Sequence, residues 1–278
     1  MSHTNNKNIN VQIKSATQFL KKGEVVTAQE IFNQITDLPS DDDVATLVQL
    51  GSFASQLGEH VAAINIYKKL VEKHPDNTSY LDSFGMACIH SGMHLQAETL
   101  FKKALEINPD MHNPYMQLGY IEISRRQFIE AVESLEKALK LKPSEPVIYI
   151  NLVIALMRLT QYDDAYKYSQ KLIRLQPKKA EGYQLKGSVL KRLGRFDEAV
   201  TNFEKAININ KTLGITYYDL ASSKKFSSED SEFIKNTENV LKSSMPAKDR
   251  SSIHFALGKI YNDCKQWDKA FEHNKEGN

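Results

Sequence analysis

Proline recurs at a fixed interval in this chain: Pro75, Pro109, Pro143 and Pro177 stand 34 residues apart. Ala63, Ala97, Ala131, Ala165 and Ala199 keep the same step without a gap, and Tyr115, Tyr149, Tyr183 and Tyr217 follow it. Gly51, Gly85, Gly119 and Gly187 do so too, with Val153 at the missing beat. Four residue types in phase mean one structural unit copied along the chain. A unit of this size cannot bury its apolar face alone, so neighbouring copies must stack. A length of 278 residues would otherwise suggest about two globular domains; the period replaces that expectation with repeats.

Within each unit the glycine is given position 8, the alanine position 20 and the proline position 32. Copies then begin at Val44, Thr78, His112, Pro146 and Ala180. Positions 4, 7, 8 and 11 share one face of a helix. In the copy from Ala180 these are Tyr183, Lys186, Gly187 and Leu190, of which only Lys186 departs from an apolar pattern. Positions 20, 24 and 27, here Ala199, Phe203 and Ala206, form a second stripe. Gly194 breaks the first helix, and Asp197 and Glu198 suit the first turn of the second, where acids favour the helix dipole. The small residues at positions 8 and 20 let two helices approach closely. Position-24 aromatics such as Tyr67, Phe101 and Phe203 are expected to fill the space between neighbouring repeats. Proline lacks an N–H and disfavours helix in the residue before it, so it ends the second helix.

Read as AEGYQLKGSVLKRLGRFDEAVTNFEKAININK from Ala180 to Lys211, the unit resembles the tetratricopeptide repeat. The resemblance implies an all-α, right-handed α–α superhelix of about seven to eight helix pairs, with the first helices lining a concave surface. The expected organisation is a disordered polar N-terminus over residues 1–8, then a degenerate first repeat over 9–43 with Ala28 and Phe32 in phase. Five regular repeats follow over 44–213, an irregular one over 214–250, and a last one over 251–278 with no capping helix after it. Gly258 stands two periods plus three residues after Gly187, which implies a three-residue insertion in the irregular repeat. Ser228 is a plausible cap for a helix there.

Composition excludes several functions. Thirty-six basic against 34 acidic residues leave a formal charge of +2, poor for a dedicated nucleic-acid binder. Cys88 and Cys264 are too few for a disulfide scaffold or a four-cysteine zinc site. No apolar run approaches a membrane span, and the polar start lacks a signal core. No phosphate loop, HExxH or GxSxG occurs. His90 and His94 are four apart, but Gly92 between them points to surface histidines at a turn. Cys88, at position 11 of the packed stripe, reads as a buried thiol. The expectation is a cytoplasmic, non-enzymatic protein with no cofactor and no metal, acting on proteins and not on nucleic acid or membranes.

The concave stripe of this family falls at positions 2, 5, 9, 12 and 13. Candidate partner-binding residues there are Met86, Met116, Tyr120, Ile150, Ile154, Met157, Arg158, Gln184, Lys191 and Arg192. So many apolar residues outside the core stripe fit either an exposed partner site or burial by neighbouring helices. Between Met157 and Phe196 ten basic residues face three acids, whereas Asp37 to Val61 holds five acids and no lysine or arginine. An apolar groove with a basic C-terminal half suits an acidic or amphipathic peptide, against the plainer reading of the lysines as solubility residues. Under the first reading, Lys191→Glu with Arg192→Glu weakens binding and leaves helicity unchanged. The carboxylate clamp of chaperone-binding members is absent: where it needs Lys, Asn, Asn, Lys and Arg, one window offers Val48, Ser52, Ser83, Asn113 and Gln117.

From Tyr217 onward, YYDLASSKKF and HFALGKIYNDCKQWDKAFEHNKEGN are similar to the junction region of tetratricopeptide-repeat sulfotransferases. That resemblance implies, as an alternative, a substrate-recruiting repeat domain of a larger enzyme whose catalytic domain is not in this chain. The uncapped last repeat is a possible docking or dimerisation surface.

Overall fold

The computed structural model describes residues 2–35 and 43–278. Asp37, Asp41 and Asp42 of the acidic stretch, with part of the first repeat, lie outside the described residues. Among those described are sixteen α-helices and no strand. They are α1 (Ser2–Lys21), α2 (Val25–Asn33), α3 (Val44–Leu57), α4 (His60–Lys73), α5 (Thr78–His90), α6 (His94–Ile107), α7 (His112–Ser124) and α8 (Phe128–Leu141). There follow α9 (Pro146–Arg158), α10 (Tyr162–Leu175), α11 (Ala180–Arg192), α12 (Phe196–Ile209), α13 (Gly214–Ala221), α14 (Ser231–Val240), α15 (Ala247–Asp263) and α16 (Trp267–Gly277). Residues 2–8 belong to α1, where their polarity suggested disorder. The chain divides into two compact units, one ending at Ile121 and the other beginning at Glu122.

Odd-numbered helices from α3 to α11 are the first helices of the five regular repeats, and the next even-numbered helix is the second. Every repeat but the irregular one turns at position 15 through a left-handed residue. Gly23, Gly58, Gly92 and Gly194 take this conformation without cost from a side chain, while Arg126, Thr160 and Lys265 take it with φ of 63°, 59° and 59°. The position-20 alanines Ala63, Ala97, Ala131, Ala165 and Ala199 are all 0% exposed, so no larger side chain has room there.

Position 24 joins the core shared with the next repeat and also packs within its own. A methyl placed on Gly85 would lie 2.5 Å from the Phe101 ring, and one on Gly187 would lie 2.5 Å from the Phe203 ring. The aromatic therefore lies across the glycine of its own repeat, closing the pair internally before any neighbour is added. In the repeat that lacks the glycine, Val153 stands at position 8 and Ser169 at position 24, both 0% exposed. Bulk has moved from the second helix to the first. Lys186, the departure from the apolar stripe, sets its ammonium 5.4 Å from the centre of the Tyr166 ring, with Arg195 5.1 Å from the same ring.

The tyrosine and proline periods are coupled. Tyr149 donates its hydroxyl to the carbonyl of Pro143 (2.8 Å), Tyr183 to that of Pro177 (3.2 Å), and Tyr217 to that of Lys211 (3.1 Å). Each bond ties a first helix to the end of the helix before it and satisfies a carbonyl that the helix end leaves free.

In the first unit α1 packs on α2 and α3, and Ile13, Phe53, Ile66 and Phe101 share one core. In the second unit a core runs from Leu190 and Phe203 through Tyr217, Leu220 and Phe226 to Ile253, Leu257 and Ile260. The irregular repeat keeps this core with shortened helices. Ser227, not Ser228, is the cap: it accepts from the Glu229 amide at 3.3 Å, while Asp230 accepts from the Ser227 amide at 2.9 Å. Phe226 is held by its amide on Asp263 (3.0 Å) and covered by the Lys224 ammonium 4.6 Å above its ring. Lys259, of the GKIYNDCK stretch, bonds to the Lys224 carbonyl at 2.7 Å and pairs with Asp263.

Candidate partner-binding groove

Helices α9, α11 and α13 of the second unit line a groove of about 380 Å³. Six residues singled out from the sequence meet there: Ile154, Met157, Arg158, Gln184, Lys191 and Arg192. Their meeting follows from the repeat. Positions 9, 12 and 13 lie on one face of a first helix, and stacking places that face beside the equivalent face of the next first helix. Leu185, Ser188, Ile215 and Asp219 complete the lining.

The groove is apolar on the α9 side and polar between α11 and α13. Ile154 and Met157 are half-buried, and Ile215 is 40% exposed. Asp219 collects the polar groups: Lys191 Nζ is 3.3 Å from its Oδ1, and Ser188 Oγ donates to its Oδ2 at 3.2 Å. Gln184 Nε2 donates to the same oxygen at 3.5 Å and to Ser188 Oγ at 3.1 Å. Lys191 also donates to Ser222 Oγ at 2.6 Å. Lys191 is thus engaged within the protein, whereas Arg158 and Arg192 end their helices with exposed side chains. Asp219 escapes a sequence search confined to positions 2, 5, 9, 12 and 13, because it sits at position 6; a carboxylate one repeat beyond a run of bases was the available signal.

The other candidates lie elsewhere. Ile150 is half-buried on α9 and is not part of the groove lining. In the first unit Met116 is buried, so it offers no partner surface there; Met86 is half-buried against the core of that unit. Tyr120 is 44% exposed, its ring 6.2 Å from that of His94.

Other polar residues have structural roles. Cys88 is 0% exposed, and burial pushes its thiol up to about 11. Asn77 caps α5, accepting from the amides of Ser79 (3.1 Å) and Tyr80 (3.2 Å). His90 stacks on His60 at 4.9 Å between ring centres. Among the described residues, no group of three or more histidine, cysteine or acidic side chains is arranged to hold a metal ion, and no helix is long and apolar enough to cross a membrane.

Sequence patterns of the tetratricopeptide repeat match residues 45–77, 79–111, 122–189 and 180–213, together more than half of the chain. The chain belongs to the tetratricopeptide-repeat family. No curated protein matches it. Among solved structures, a tetratricopeptide repeat protein from Parabacteroides merdae ATCC 43184 is similar over 98% of this chain and 99% of its own, with a TM-score of 0.64 and 16% identity. MamA 41-end from Desulfovibrio magneticus RS-1 is similar over 61% of this chain and 96% of its own, at TM-score 0.57 and 20% identity. A further MamA structure covers 58% of this chain and 95% of its own, at TM-score 0.54 and 25% identity. These likenesses concern the tetratricopeptide-repeat fold.

Proposed function

We propose that this tetratricopeptide-repeat protein is a non-enzymatic interaction scaffold that holds an acidic or amphipathic segment of a partner protein in the groove of α9, α11 and α13. The supporting observation is the meeting of apolar Ile154, Met157 and Ile215 with the exposed guanidinium groups of Arg158 and Arg192 on one preformed surface. Preformed helices add little ordering cost, and apolar anchors beside cations supply both burial and orientation.

Lys191→Glu disturbs the internal contact to Asp219 as well as any ligand. Ile154→Asp and Arg192→Glu probe the groove more cleanly. Affinity capture from cells should lose the partner with either variant and keep it with Ile129→Asp, which lies on exposed α8 surface. Retention of the same proteins by all three, with unchanged circular dichroism, would remove the groove as the binding site.

A further inference from the structure

We propose that His254 and His273 form a binding site for a divalent transition-metal ion such as zinc, held by their two Nδ1 atoms between α15 and α16. The site arises from the repeat. In the last copy, which begins at Ser251, His254 stands at position 4 and His273 at position 23. These two positions face each other across a helix pair. In the copy from Pro146 they are Tyr149 and Tyr168, with ring centres 6.1 Å apart. In the last copy both are histidine, and their Nδ1 atoms stand 3.1 Å apart. Because the two residues are 19 apart in the chain, the pair carries no local ligand spacing.

The separation suits two ligands of one ion. Zinc binds an imidazole nitrogen at about 2.0–2.1 Å, so two nitrogens at the tetrahedral angle lie about 3.3–3.4 Å apart. A small rotation of the rings closes the difference. Contacts on either side hold the two helices together. A methyl placed on Gly258 of α15 would lie 2.2 Å from Asn274 Oδ1 of α16, and Ser251 Oγ donates to the Gly277 carbonyl. Tyr261 stacks on His273, with ring centres 5.5 Å apart and planes 11° from parallel, and donates its hydroxyl to Glu238. Ligands locked in this way are already placed for an ion.

The ligand type selects the metal. Imidazole suits zinc, copper and nickel, whereas magnesium and calcium take oxygen ligands. Burial holds both rings below the usual histidine range, so both are neutral, as a metal ligand must be. In the metal-free pair one Nδ1 donates its proton to the other. On binding, that ring carries its proton at Nε2 instead, and the ion replaces the hydrogen bond. Glu238, Glu272 and Glu276 favour a cation at the pair, while Arg250 and Lys269 oppose it. Among the described residues no third histidine, cysteine or acid completes a metal-holding group. Both rings are half-buried, so water fills the remaining coordination positions.

The test uses the full chain, stripped of metal with a chelator, and zinc chloride. Isothermal titration calorimetry should show a site that His254→Gln and His273→Gln each weaken about tenfold or more. The double variant His254→Tyr, His273→Tyr copies the Tyr149 and Tyr168 pair, so it should keep its circular dichroism and lose the site. Nitrogen-15 NMR should show both Nδ1 resonances moving with zinc and not with magnesium. Equal zinc affinity in the native protein and the double variant, or Nδ1 resonances that zinc leaves unmoved, would overturn the inference.

Discussion

Phe203 lies across Gly187 so closely that a methyl group on the glycine would stand 2.5 Å from the ring's Cε1 atom. Alanine is better than glycine inside a helix by about 1 kcal/mol, yet overpacking costs about 1–3 kcal/mol. Gly187→Ala should therefore destabilise, and chemical denaturation should show a lowered midpoint. Gly51→Ala faces Tyr67 at 3.1 Å and should cost less. The double variant Gly187→Val, Phe203→Ser copies the Val153 and Ser169 arrangement and should recover part of the loss of Gly187→Val. Strict additivity of the two changes would refute the coupling.

Thr160 adopts φ of 59° at the turn where four other repeats place glycine. A branched side chain in the left-handed region costs about 1–2 kcal/mol. Thr160→Gly should raise stability by about 1 kcal/mol, less the flexibility that glycine adds to the unfolded chain. Gly194→Thr should lower it. Calorimetry on both variants checks the sign, and a destabilised Thr160→Gly would show that the threonine makes a contact worth more than its strain.

His254 on α15 and His273 on α16 face each other with their Nδ1 atoms 3.1 Å apart, so at least one ring must be neutral to accept. Burial holds both below the usual histidine range, and the charge of His254 lowers His273 further. Above the ordinary histidine value of about 6.5 both the folded and the unfolded chain keep these rings neutral. As the pH falls below that value, the unfolded chain takes up protons that the folded pair resists, so stability declines until the folded rings also protonate. Amide protection factors in α15 and α16, corrected for the intrinsic exchange rate at each pH, should fall from pH 7 toward pH 5, and His273→Gln should flatten that dependence. A flat profile in the native protein would contradict it.

Cys88 is fully buried with its thiol pushed up to about 11, while Cys264 is half-buried. A thiol reagent applied to the native protein should label Cys264 first, with Cys88 reacting only on unfolding. Rapid labelling of Cys88 would show that the first unit opens far more readily than its core implies.

The periodic part of this fold was legible because each periodic residue does one local job: alanine admits a close helix, glycine faces an aromatic, and tyrosine holds the carbonyl of the residue six before it. What escaped was the packing within each repeat. Spacing puts Phe203 in phase with Gly187 but does not report that the ring lies across that glycine. Six of ten proposed contact residues converge because the same repeat position recurs at a stacked surface. Met116 failed because exposure depends on which neighbours cover a helix, and sequence phase alone does not report them. Lys191 was read as available for a ligand; its partner Asp219 lies 28 residues away, beyond any local pattern. Tyr217, Leu220, Phe226 and Lys259 of the tail have packing roles and are drawn into the second core or its cover.

The most direct test places a photo-crosslinking side chain at Ile215, which is 40% exposed on the groove wall, and another at Ile129, 63% exposed on α8. The account predicts that Ile215 captures one reproducible partner peptide, identified by mass spectrometry, and that Arg158→Gln with Arg192→Gln abolishes the capture. Identical products from Ile129, or capture at Ile215 that survives the arginine changes, would contradict it.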